Sequence, residues 1–347
     1  MFDLLETSLE QNAYTAVKAG QALFALTHKR IASQIREWLF PALEEQTNSL
    51  SSEALQLLVE SRDRLINLDW KEAQRGVYPL EILLDNNIEE FFKAYTLIWQ
   101  DHPQTWQRVA NKAYKDFSPQ VQQKEKDYPQ YYFRNFHYQT DGYLSDRSAD
   151  IYDLQVELLF NWAADAMRRR IIAPLKVGLE SDRADLLDVA CGTGRSLRFL
   201  QKTFPKMALY GIDLSEPYLR KARERLGKSV SLKQGKGEAL PYPNDFFTAV
   251  TSTFLFHELP APIRQKILVE CYRVLKPGGI FVLCDSLQAG DIPELDLALT
   301  NFSSIFHEPY YLDYIKDNLC DRLQEVGFTK IETQTHWLSK YWIARKD

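Results

Sequence analysis

Residues 186–197 read LLDVACGTGRSL, an apolar strand that ends in a glycine-rich turn and passes at once into a helix. Gly192 and Gly194 allow backbone torsions that side chains forbid, and they let a ligand approach the main chain. The helix start that follows presents unpaired N–H groups suited to a carboxylate or phosphate. A dinucleotide fingerprint of the form G-x-G-x-x-G needs a third glycine where Leu197 stands, so a NAD site is only partly matched. Asp213 closes the next apolar run nineteen residues after Gly194 (213 minus 194), where a carboxylate accepts both hydroxyls of a ribose. Asp188 stands just before the turn. Singly, each aspartate is as well read as a cap or turn residue; in this order, around a glycine turn, they are specific.

Working outward, the chain beyond about Ala184 alternates short apolar strands with helices. Strands are expected at 185–189, 208–213, 230–234, 249–254, 280–285, 330–336 and 341–344, the last two as an antiparallel hairpin. The fold class is therefore α/β: a seven-stranded, Rossmann-like, doubly wound and mostly parallel sheet with an antiparallel last strand and helices on both faces.

Ahead of this region the periodicity is helical. One helix is predicted from Asn12 to Phe40, with a break near Gly20, a second from Ser51 through Leu65, and a third over Ile88 to Trp99. Residues 118–130 read as a polar loop. The stretch YPQYYFRNFHYQTDGYLSDRSADIYD, 128–153, mixes aromatic and hydrogen-bonding side chains without regular period. It is either a lid facing a substrate or a cement between modules. An amphipathic helix is expected from Leu154 to about Arg170, with Arg168, Arg169 and Arg170 as its solvated last turn. These readings divide the chain into a helical region (1–127), a lid with its connecting helix (128–183) and the α/β domain (184–347).

The 347 residues are enough for that domain plus a second module, and 45% hydrophobic with 26% charged residues describes a globular chain. Lysine and arginine number 42 against 47 acidic residues, so a net charge of -5 gives no reason to dock on nucleic acid. No apolar run suits a membrane span and the first residues are not a secretory signal, so a cytoplasmic protein is expected. Cys191, Cys271, Cys284 and Cys320 lack paired spacing and are read as reduced, mostly buried thiols. The six histidines form no H-E-x-x-H or similar cluster, so no metal is expected.

Residues 184–347 resemble the class I S-adenosylmethionine-dependent methyltransferases, especially the branch with ubiquinone/menaquinone-type and other small-molecule enzymes. The resemblance rests on DVACGTG, GIDLS (211–215), GEALPYPNDFF (237–247), FLFHELP (254–260) and LKPGG (275–279). It implies S-adenosylmethionine as cofactor. By that likeness Asp188, Ala190, Gly192 and Gly194 line its methionine and ribose part, Asp213 holds the ribose hydroxyls, and Leu214 packs on the adenine. Gly237, Glu238 and Ala239 lie along the adenine edge, with Thr253 and Phe254 beneath the sulfonium. Two positions depart from the pattern. Lys236 stands where an acidic residue commonly accepts from the adenine amine, which leaves Glu238 or a backbone carbonyl for that task. Thr248 replaces an aspartate of mainly structural use.

Methyl transfer from a sulfonium requires alignment and a dry pocket, and a base only where the nucleophile carries a proton. His257, Asp285 and Tyr143 are the candidates for proton handling; a helix-capping or supporting histidine and a strand-end carboxylate are the competing readings of the first two. His137, Tyr138, Tyr143, His307 and Tyr310 are candidates to enclose an acceptor, or else packing. The aromatic lid and the absence of basic excess favour a small acceptor such as a phenol, quinone or related metabolite. A scaffold that keeps the fold without turnover is the alternative, supported by Lys236, and a NAD-dependent reductase is a third reading. The helical region is expected to cap the site, bind a partner or form a homodimer.

Overall fold

The computed structural model describes residues 2–41, 48–85, 87–181 and 183–347. Seven strands form one sheet: β1 (Asp185–Val189), β2 (Ala208–Asp213), β3 (Val230–Gln234), β4 (Phe247–Thr253), β5 (Leu275–Ser286), β6 (Thr329–His336) and β7 (Ser339–Arg345). Their order is β3-β2-β1-β4-β5-β7-β6, and β7 runs antiparallel to both neighbours. Strand alternation sorts the apolar side chains. Leu186, Ala249, Ile280 and Val282 enter one core, and Leu187, Val250, Phe281 and Leu283 enter the other. The strand order reverses between β1 and β4, and the crevice at their carboxyl ends is where ligands bind in open α/β sheets.

The three N-terminal helices span Phe2–Leu39, Ser52–Gln74 and Ile88–Asn111. The first shows no break at Gly20, where a side chain would meet nothing within 4 Å, so the residue costs only helix propensity. Ser51 caps the second, its hydroxyl accepting from the Ala54 N–H at 3.1 Å. The third runs past Trp99 and through Pro103, and His102 and Trp106 on either side of the proline stack at 5.0 Å. Residues 118–130 carry two short helical turns, Pro119–Gln122 and Glu125–Asp127, where a loop was expected.

The helix expected over Leu154 to Arg170 is two, Asp146–Leu159 and Ala164–Arg169. Asn161 and Trp162 between them take positive φ, and the Glu157 carboxylate caps the second helix by accepting from the Asp165 N–H at 2.7 Å. The reading of Arg168, Arg169 and Arg170 as solvated is corrected: all three are buried and paired. Arg169, 1% exposed, grips Asp69 with two N–H groups at 2.9 and 2.6 Å, and Asp69 also accepts from Tyr14 and Tyr78. Arg170 pairs with Glu72, and Arg168 with Asp165. Asp69 and Glu72 come from a helix about a hundred residues away, which explains why local periodicity pointed Arg169 and Arg170 to solvent. The same core that holds β1 also takes in Tyr14, Leu65, Trp70 and Ile82 of the helical region.

Cys191, Cys271 and Cys284 are buried and Cys320 half-buried, all as thiols. Among the described residues no helix is long and apolar enough to cross a membrane.

Candidate active site

A cleft of about 100 Å³ opens at the carboxyl ends of β1, β2 and β4. The turn after β1 shapes its floor. Ala190 and Gly192 take φ of 58° and 54°, and Phe254, just beyond β4, takes 56°. Non-glycine residues held in this region are costly and concentrate where a ligand must be met. Gly194 serves packing instead: a Cβ there would lie 2.8 Å from Leu226 Cδ1.

Asp213 Oδ2 accepts from the Gly192 N–H at 2.8 Å and Oδ1 from the Ser215 N–H at 2.7 Å. Burial raises its pKa to about 6 against these N–H contacts. Tyr131 of the lid donates to Glu238 Oε1 at 2.9 Å, while Glu238 Oε2 and Thr253 Oγ1 are buried without a hydrogen-bond partner among the described residues. Polar atoms left open beside a cleft are available to a polar ligand or to water. Lys236 is exposed and does not line the cleft.

Ala190, Gly192, Asp213, Leu214, Gly237, Glu238, Thr253, Phe254 and Tyr143 therefore share one wall. Three other expected residues stand off it. Asp188 is buried behind the turn, accepting from Thr251 at 2.7 Å, with burial pushing its pKa up to about 7. Gly194 packs on the helix Glu216–Leu226, and Ala239 is exposed. The sequence reading missed Tyr131, Tyr132, Phe136, Tyr152 and Tyr218, which complete the wall. The first four sit in the aromatic stretch already singled out, but its lack of period hid which rings face inward.

A second, mainly apolar cavity of about 140 Å³ adjoins the first and shares Tyr152, Phe254 and Glu258 with it. Its body is walled by Val156, Leu159, Phe160, Leu299, Phe302 and Leu338, and its polar end by His137, His257, Glu258 and Ser286. His257 Nδ1 bonds Asp285 Oδ1 at 2.6 Å, and Asp285 is filled further by the N–H groups of Phe256 and Ser286. Burial opposes charge on His257, but the Asp285 carboxylate outweighs it and raises the pKa to about 10. Tyr143 donates to Glu258, whose carboxyl rises to about 7 through burial and the nearby Glu308. Tyr138, His307 and Tyr310 lie outside this cavity: His307 stacks on Tyr114 at 4.1 Å, Tyr138 leans on His307, and Tyr310 sits under Arg134.

A glycine-turn α/β sheet with a carboxylate closing its second strand and a cleft at the reversal of strand order has the architecture of a nucleotide-cofactor site. Residues 186–279 match the family model described as a methyltransferase domain. The chain is 34% identical over 150 residues to the ubiquinone/menaquinone biosynthesis C-methyltransferase UbiE of Methylobacterium nodulans, covering 42% of this chain and 58% of that protein. It is 33% identical over 117 residues to a fatty-acid O-methyltransferase of Mycolicibacterium smegmatis, covering 33% of this chain and 42% of that protein. The chain thus spans about half the length of these relatives. Among solved structures, phosphoethanolamine N-methyltransferase 2 of Haemonchus contortus with S-adenosyl-L-methionine is 19% identical, with a TM-score of 0.41, over 51% of this chain and 52% of that one.

Proposed function

We propose that this protein transfers a methyl group from S-adenosylmethionine to a small acceptor with an apolar body and a polar head, such as a phenol or quinone-type metabolite. The observation that carries this reading is the pair of adjoining cavities that meet at Tyr152, Phe254 and Glu258. One offers hydroxyl-accepting carboxylates and the other an apolar chamber with a polar end. When bound, the cofactor supplies an electrophilic methyl group on sulfur. Asp213 and Glu238 are suited to hold its ribose and adenine, since each keeps accepting capacity after its protein contacts. The lid excludes water, with Tyr131 tied to Glu238 and Tyr143 to Glu258. His257, oriented by Asp285, presents its other ring nitrogen to the acceptor's head and steadies an oxygen there. Both curated relatives carry names of apolar acceptors, a quinone type and a fatty acid, which fits the chamber.

The helical region caps this chamber, since Leu58 of its second helix forms part of the wall. Lys236 gives the scaffold reading no support, being exposed and off the cleft. Calorimetric titration with S-adenosylmethionine, S-adenosylhomocysteine and NADH tests the proposal. Binding of the first two, followed by turnover in a screen of phenols, quinones and fatty acids, supports it. Binding of NADH alone overturns it, and cofactor binding with no turnover across the screen returns the weight to a scaffold.

A further inference from the structure

At the polar end of the apolar chamber, three segments distant in sequence bring His137, Glu258 and Glu308 together. Their nearest donor atoms all lie within 4.8 Å of one another, a grouping of this kind that stands out among the described residues. His137 comes from the lid, Glu258 from the turn after β4, and Glu308 from the turn after the helix Asp296–Ile305. His137 Nε2 is 2.7 Å from Glu308 Oε1 and 4.0 Å from Glu258 Oε1. The Glu308 side chain is 0% exposed, and its second oxygen has no hydrogen-bond partner among the described residues. Tyr143 donates to Glu258, and His257 Nε2 stands 4.0 Å from the same oxygen. Two carboxylates held this close away from water repel each other, and the nearest donors from His137 and His257 to Glu258 stand off at 4.0 Å.

We propose that His137, Glu258 and Glu308 form a binding site for a divalent first-row transition ion such as Zn²⁺, Mn²⁺ or Fe²⁺. One imidazole and two carboxylates suit these ions rather than a soft, thiolate-bound one. An ion about 2.1 Å from each donor needs donors roughly 3 to 4 Å apart, so small side-chain shifts complete the shell. His137 and Glu258 both line the chamber, so the open coordination positions face it. If that chamber is the acceptor site, as proposed above, an acceptor oxygen can occupy one of them. The ion would also pin the lid to the segment carrying Glu308.

The test uses the full chain, stripped with chelator and titrated with Co²⁺, Zn²⁺ and Mn²⁺ separately. One equivalent is expected to bind, with Co²⁺ giving visible absorption of a nitrogen and oxygen ligand field. Glu308→Gln and His137→Gln are each expected to weaken binding at least about tenfold, while S-adenosylmethionine affinity, read separately, reports that the fold is kept. Anomalous scattering from Co²⁺-loaded wild-type crystals needs no variant: a peak among the three side chains supports the site, and a peak elsewhere overturns it. Failure of all three ions to bind at millimolar concentration, or unchanged affinity in both folded variants, also overturns it. None of these readouts depends on methyl transfer.

Discussion

Asp213 carries the most at the scale of single residues. Its two oxygens are already engaged by the Gly192 and Ser215 N–H groups, which fix the carboxylate and leave lone pairs toward the cleft. Asp213→Ala is expected to weaken S-adenosylmethionine binding by roughly 10- to 100-fold, since hydrogen bonds to a charged group contribute about 1.5–3 kcal/mol. Circular dichroism should show the fold intact; unchanged affinity would remove Asp213 from the ribose site. The sign of the pH effect follows from burial, which raises this carboxyl to about 6. Ribose hydroxyls donate to the ionised form, so affinity is full above that pH and falls as pH drops through it. Calorimetry from pH 5 to 8 checks this, and a flat profile would contradict it. Asp213 was legible in the sequence because its distance from Gly194 is local to one strand-turn-helix-strand unit. Glu258 and Glu308 were not, because their meaning comes from His137, more than a hundred positions upstream.

Elements were legible to different degrees for physical reasons. All seven strands overlap the short apolar runs that placed them, although β5 begins at Leu275 rather than 280. Strands β1, β4 and β5, buried on both faces, leave little choice of residue, while the edge strands β3 and β6 are largely exposed. The interruption at 160–163 was hidden because Phe160, Trp162 and Ala163 keep an apolar pattern while the chain turns. The arginine run was misread because a helix with charges at its end looks the same whether those charges meet water or a distant aspartate. Within the glycine turn the two glycines make different demands. Gly194→Ala places a Cβ 2.8 Å from Leu226 Cδ1 at a φ of 76°, and is expected to lower stability by about 1–3 kcal/mol. Urea denaturation of the variant checks this; a midpoint shift near zero would show that the helix Glu216–Leu226 can move aside.

For the molecule as a whole, the boundary expected near residue 183 is crossed by the core itself. Tyr14, Leu65 and Trp70 share a cluster with Leu186, Leu197 and Phe199, and Arg169, paired with Asp69 of the helical region, lies over the Phe199 ring at 5.0 Å. Asp69→Ala leaves Arg169 charged and unpaired in the interior, which is expected to cost about 3–5 kcal/mol. The loss should appear as one unfolding transition, with near-ultraviolet and far-ultraviolet signals moving together. Two separated transitions would mean that the helical region and the sheet are held apart more than their common core implies.

That shared core also sets an order of events during synthesis. The ribosome releases Tyr14, Leu65 and Trp70 well before it has made Leu186, Leu197 and Phe199, and domains generally complete themselves as units while the chain grows. Here the first half must wait for the second. Its apolar helix faces stay uncovered until the sheet arrives, so the nascent chain is a natural client for chaperones that shield such faces.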